Sequence, residues 1–180
     1  MIKLAIFDRD GTINALAPDE DFVTSPEQWQ PIAGALQAMA SLSRAGWRVV
    51  LATHQPGLGR GLFDVTTLNA IHALMHKQLA AVGGRIDAVF YCPHTVDDAC
   101  LCRKPAPGLL EQLCDRYRLD PRSAVLISGC ALQLQAGAAL GMALHWVGSP
   151  ETAPALPHGT QCHGDLAALA AQLLAPAASV

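Results

Sequence analysis

An α/β fold built on a parallel sheet with helices on both faces is predicted for this chain, on three observations. Short apolar runs alternate along the sequence with stretches of helical period, the rhythm of strand, helix, strand. The runs are continuously apolar instead of alternating with polar residues, as strands covered on both faces require. Residue types able to do chemistry cluster where those runs end, the place at which open parallel sheets bind ligands. With 180 residues, 51% hydrophobic and 15% charged, the chain can bury one core, so residues 1–180 are expected to form a single Rossmann-like domain. No repeat is visible, and no insertion is long enough for a separate cap.

Five strands are expected, Lys3–Phe7, Trp47–Thr53, Ala88–Tyr91, Ala124–Ser128 and Ala143–Val147. Between the first two, Ile32, Leu36, Met39 and Ala40 form one helical face that ends near Gly46. Leu68, Ile71, Met75, Leu79 and Val82 form a second, closed by Gly83-Gly84. Leu109–Tyr117 and Leu132–Leu140 give two shorter helices. The last helix starts at an Asp165 N-cap, runs through Leu166, Leu169 and Leu173, and stops before Pro176. Residues 150–164, rich in Pro, Thr and His, are expected to be a surface connection.

The first strand runs straight into Asp8-Arg9-Asp10-Gly11-Thr12. A carboxylate at a strand end is a poor phosphate ligand unless a cation is supplied and the carboxylate attacks phosphorus, which makes Asp8 the candidate nucleophile. Asp10, two residues on, returns to the same side and is the candidate general acid/base. Gly11 lets the backbone turn away close to a ligand. Taken alone, Asp-x-Asp-Gly is equally a turn or a fragment of a calcium loop.

The second chemical signal is Cys92-x-His94-x5-Cys100-x-Cys102, four soft or borderline ligands in a loop of residues 92–102. This spacing suits a closed tetrahedral Cys3His zinc site, whose role is structural because no position is left open for water. Cys102 adjoins Arg103 and Lys104, so the metal would fix a loop that carries two cations. The remaining cysteines, Cys114, Cys130 and Cys162, are singletons. Gly57, Gly59 and Gly61 form a Gly-rich turn that by itself says little.

Phe7-Asp8-Arg9-Asp10-Gly11-Thr12-Ile13-Asn14 resembles motif I of the haloacid dehalogenase (HAD) superfamily, in the form used by its zinc-containing bisphosphate phosphatases. Leu51-Ala52-Thr53-His54-Gln55-Pro56-Gly57, the Cys/His loop and Arg103-Lys104-Pro105 follow in family order, so the resemblance spans nearly the whole chain. Within that superfamily it resembles the D-glycero-D-manno-heptose-1,7-bisphosphate 7-phosphatases, with histidinol-phosphate phosphatases next. The resemblance implies a capless HAD-like domain and magnesium-dependent hydrolysis of a small sugar bisphosphate through an aspartyl-phosphate. By resemblance, Thr53 and Lys104 hold the phosphoryl group, Arg9, His54, Gln55 and Arg103 contact substrate, and Asp8 and Asp10 hold magnesium. His54 stands where relatives usually carry Asn.

One segment departs from the pattern. After the strand Val125-Leu126-Ile127, motif IV of the family places an Asp just after a Gly and a second Asp four residues later. Here the chain reads Ser128-Gly129-Cys130-Ala131-Leu132-Gln133, so the acids become Gly129 and Gln133. Neither replaces a hard anionic ligand for magnesium. Asp97 and Asp98 lie in the zinc loop, and nothing in the sequence aims them at the site. Gly129→Asp paired with Gln133→Asp is the change expected to rebuild the acidic pair. The departure keeps open a second reading, a zinc-stabilised sugar-phosphate-binding protein that has lost catalysis.

Composition narrows the partners. A net charge of −3 with no basic run argues against nucleic acid or an anionic membrane surface. No apolar stretch approaches the ~20 residues of a membrane span, and the first strand leaves no room for a leader, so a cytoplasmic monomer is expected. His72 and His76 lie four apart on a helix with no acid between them and are expected to be its polar flank. His145, His158 and His163 carry no motif.

Overall fold

The computed structural model describes residues 3–149, 151 and 153–176. Six strands lie in one sheet in the order β3-β2-β1-β4-β5-β6. They are β1 (Leu4–Phe7), β2 (Arg48–His54), β3 (Ala88–Cys92), β4 (Ala124–Ser128), β5 (Ala143–Val147) and β6 (Gln161–His163). Every neighbouring pair is parallel. In this order the chain starts in the middle, moves outward through β2 and β3, then crosses back to β4. The reversal opens a crevice beyond the carboxyl ends of β1 and β4.

Alternation along β1 divides the core. Ala5 and Phe7 face one side, against Leu36 and Met39 of α1 (Ala35–Arg44), Ile71, Met75 and Leu79 of α3 (Val65–Ala81), and Leu169 of α6 (Leu166–Leu174). Leu4 and Ile6 face the other, against Leu109, Leu110 and Leu113 of α4 (Gly108–Tyr117) and Leu134 of α5 (Ala131–Ala139). Burial on both faces is why these strands are apolar without interruption. Asp64 caps α3 by accepting from Thr67 N at 2.7 Å, and Asp165 caps α6 by accepting from Ala168 N at 2.7 Å.

Three expectations are corrected. Gln161–His163, assigned to a surface connection, is the edge strand β6; its short polar sequence gives no apolar run, and only pairing with β5 makes it a strand. Pro150 and Thr152 of that expected connection lie outside the described residues. Helix α1 begins at Ala35, after a Gly34 N-cap at φ 79°, so Ile32 packs on the core from the turn before it. Pro56–Gly59, expected as a Gly-rich turn, forms the single helical turn α2. A Cβ at Gly57 would come within 2.3 Å of the Phe63 ring and 2.7 Å of Phe22, so only glycine fits beneath that aromatic pair.

Candidate active site

A cleft of about 550 Å³ opens at the carboxyl ends of β1, β2 and β4, lined by Asp8, Asp10, Asp21, His54, Arg60 and Lys104 among others. A larger hollow of about 890 Å³ lies between the start of α3 and the loop after β3 and includes, of the candidate residues, only His94.

Asp8 leaves β1 with its side chain 2% exposed and one oxygen, Oδ2, facing Lys104 Nζ at 2.8 Å. Ser128 Oγ, at the end of the neighbouring β4, donates to the same oxygen at 3.1 Å, while Oδ1 accepts from Arg9 N at 2.9 Å. Burial works against the Lys104 charge, but the Asp8 carboxylate and the Cys130 thiol beside it hold the ammonium above the ordinary lysine range. Asp10 is gripped by four donors. Arg9 Nη2 and Gln55 Nε2 reach Oδ2 at 2.8 and 2.7 Å; Asn14 Nδ2 and Val23 N reach Oδ1 at 3.1 and 3.3 Å.

The residues expected at the site therefore fall into two groups. Asp8, Asp10, His54 and Lys104 line the cleft. Arg9 and Gln55, expected to contact substrate, are 0% exposed and turn inward to position Asp10. Thr53 is also buried, its Oγ1 accepting from Gln55 Nε2 at 3.0 Å. Arg103 is not among the cleft residues, and its guanidinium donates to the Thr95 carbonyl in the Cys/His loop. His54 sits 2.8 Å through Nε2 from the His94 carbonyl. Burial lowers its pKa, with Lys104 and Arg103 pushing the same way, so the ring is neutral at pH 7 and donates that bond.

His72, expected on a polar flank, is 8% exposed, and its Nε2 lies 3.0 Å from Arg9 Nη1. Arginine only donates, so the ring must accept through Nε2. Burial first, then the Arg9 charge, lowers its pKa to about 3 and keeps it neutral. No sequence signal points to this contact across 63 positions. Ser128 and Arg60 were likewise not legible as site residues; one is an ordinary strand-end serine and the other a loop arginine without motif.

Cys92, His94, Cys100 and Cys102 present their ligand atoms within 4.8 Å of one another. Tetrahedral zinc at Zn–S distances near 2.3 Å sets sulfurs about 3.8 Å apart. Here Cys92 Sγ lies 4.0 Å from Cys100 Sγ and 3.1 Å from Cys102 Sγ, and His94 Nδ1 lies 3.2 Å from Cys102 Sγ. Burial, and then Cys102, push the Cys92 thiol up to about 12, so a bound cation is what would draw off its proton. The four groups fit a structural zinc ion.

The fit to magnesium is poor. Among the described residues, the Cys3His set is the one group of three or more His, Cys, Asp or Glu ligand atoms within 4.8 Å of each other. Gln133 is 4% exposed and donates through Nε2 to the Ala52 carbonyl of β2 at 3.3 Å. A Cβ at Gly129 would stand 2.6 Å from the Gly11 carbonyl oxygen and 3.2 Å from that of Val147. The expectation that Gly129 is an apt place to restore an aspartate is thus overturned, because backbone already fills the space a side chain would need.

The comparisons agree with this architecture. A model of the polynucleotide kinase 3 phosphatase family matches residues 3–129. The chain is 49% identical over 179 residues to D-glycero-beta-D-manno-heptose-1,7-bisphosphate 7-phosphatase of Bordetella bronchiseptica, covering 96% of this chain and 98% of the relative. The enzyme of the same name from Pseudomonas aeruginosa is 38% identical over 181 residues, covering 96% and 98%. The crystal structure of the B. bronchiseptica D,D-heptose 1,7-bisphosphate phosphatase, complexed with magnesium and phosphate, superposes with a TM-score of 0.91 at 47% identity, covering 96% of this chain and 98% of that one. That of Burkholderia thailandensis gives 0.74 at 41% identity, covering 97% and 99%. The sheet order, the cleft at its carboxyl edge and this identity over nearly the full length together establish that the chain belongs to the D-glycero-D-manno-heptose-1,7-bisphosphate 7-phosphatase family of HAD-like phosphatases.

Proposed function

We propose that this protein removes the C7 phosphate from D-glycero-D-manno-heptose 1,7-bisphosphate. The observation that carries the reading is the Asp8–Lys104 contact of 2.8 Å inside a cleft that also contains Asp10, in a chain 49% identical to an enzyme of that name. The Asp8 carboxylate attacks phosphorus, forming the acyl-phosphate bond as the bond to the sugar oxygen breaks. Asp10 gives its proton to the departing sugar oxygen. It then takes a proton from water, whose oxygen attacks phosphorus and releases inorganic phosphate, returning Asp8 to the carboxylate. Lys104 balances charge on the nucleophile and the phosphoryl oxygens. Arg9 and Gln55 act as positioning residues for Asp10, and Arg103 ties the Cys/His loop to the segment carrying Lys104.

The same reading makes the chain a single-domain, monomeric cytoplasmic enzyme with zinc as a structural ion; the net charge of −3 agrees with a small-molecule substrate. Among the described residues no helix is long and apolar enough to cross a membrane. Asp8 and Asp10 are where magnesium would be held, and the donor set there is short of what that ion prefers. This shortage, with Gly129 and Gln133 in place of acids, favours the second reading, a sugar-phosphate binder without turnover. Phosphate release from a panel of sugar bisphosphates and monophosphates separates the two. Preferential release from the heptose bisphosphate supports the enzyme; none from any sugar, by folded zinc-loaded protein, leaves the binder.

A further inference from the structure

The magnesium shortfall has a counterpart at Asp8. Ser128-Gly129 stands where the family motif that the chain resembles would place a Gly-Asp pair. Removal of the acid is accompanied by a hydroxyl one residue earlier, and that hydroxyl donates to Asp8 Oδ2 at 3.1 Å. Lys104 Nζ occupies the same oxygen at 2.8 Å. A carboxylate oxygen offers two lone pairs, and both on Oδ2 are taken by protein donors. Backbone also fills the space beside Gly129. Gly129 N donates to Thr12 Oγ1 at 2.9 Å, and the Gly11 and Val147 carbonyls fill the place of a Cβ. Asp8 is ion-paired with Lys104, and Asp10 with the buried Arg9.

We propose that this cleft binds the phosphoryl group of its ligand without a divalent cation, Lys104 and Ser128 together filling the lone pairs of Asp8 Oδ2. The proposal rests on the reading of the cleft as a phosphate-ester site. It assigns the substitutions at 128 and 129 a joint effect, the loss of a carboxylate and the gain of a hydroxyl donor at Asp8 Oδ2.

The test is calorimetric titration of the full zinc-loaded chain with inorganic phosphate, in resin-treated buffer without chelator, at zero and 10 mM magnesium chloride. The expected phosphate Kd differs by less than threefold between the two, and Lys104→Met weakens it at least tenfold in both. Tightening of tenfold or more by magnesium overturns the proposal, as does the absence of measurable binding in magnesium-free buffer. Both results come from the wild-type protein, so the outcome stands even where the variant fails to fold. Magnesium-dependent binding with sugar-phosphate hydrolysis would defeat this inference and leave the enzymatic reading intact. Magnesium-independent binding without hydrolysis would do the reverse.

Discussion

Gly129 approaches Gly11 so closely that a Cβ on the former would lie 2.6 Å from the carbonyl oxygen of the latter, well inside van der Waals contact. Gly129→Asp is therefore expected to destabilise the fold by about 1–3 kcal/mol, the usual range for overpacking, without raising hydrolysis at saturating magnesium. Paired denaturation and phosphate-release measurements check this. A stable variant that hydrolyses faster with magnesium would show that the turn can open to admit the carboxylate.

For the Cys/His loop, elemental analysis of purified protein is expected to give one zinc per chain. Cys100→Ser removes a ligand whose loop also contacts Arg103 and His54. Its melting temperature is expected to fall by at least roughly 5 °C, about 2 kcal/mol for a domain of this size. Zinc-free wild-type protein melting at the same temperature as the loaded form would contradict the structural assignment.

His72 acts on Asp10 only through Arg9. In His72→Leu the Arg9 guanidinium loses a buried acceptor, a loss of about 1–3 kcal/mol. Turnover is expected to fall about tenfold, corresponding to ~1.4 kcal/mol, with KM changed less than twofold. His72→Gln supplies a carbonyl acceptor and should recover most of the rate. Equal losses in both variants would assign His72 to packing alone.

On the opposite flank, His145 and His163 stack with ring centroids 5.1 Å apart and share an Nδ1–Nε2 hydrogen bond of 2.8 Å. Burial, then His163, lowers the His145 pKa to about 4, and burial lowers that of His163. In the unfolded chain both titrate near 6.5, so as pH falls from about 6.5 toward about 4 the unfolded state takes up protons that the fold refuses. Stability is lost across that window and not above it, by at most about 3.5 kcal/mol from His145 at ~1.4 kcal/mol per unit. Urea titrations at pH 7.5, 6 and 5 should show a shallower decline for His145→Phe than for the exposed-site control His158→Gln. Parallel curves would remove the pair from the acid response.

The central strands were legible because burial on two faces demands uninterrupted apolar runs, which Val49–Ala52 and Val125–Ile127 supply. Gln161–His163 was not, since an edge strand covered by one neighbour has no such demand. Asp8, Asp10 and the Cys/His set announce themselves through short spacings along one loop. The contacts Ser128–Asp8 and His72–Arg9 span 120 and 63 positions and exist only once β4 and α3 have packed beside β1. For the same reason motif position could not tell that Arg9 and Gln55 point inward, whereas Lys104 points into the cleft.

The Ser128 hydroxyl carries one hydrogen and has two acceptors in reach, Asp8 Oδ2 at 3.1 Å and the Cys130 carbonyl at 3.3 Å, while Cys130 N donates back to its oxygen. Rotation about a single side-chain bond can therefore move that hydrogen from the nucleophile to the backbone without orphaning a polar group. Esterification of the carboxylate would lower its appetite for a donor, and the alternative acceptor is the carbonyl of Cys130, the N-cap of α5, which it shares with Gln133 N at 3.1 Å and Leu134 N at 3.3 Å. The strand-end serine is thus able to follow the charge on Asp8 through a reaction cycle, a freedom that a fixed backbone amide at the same place would not have.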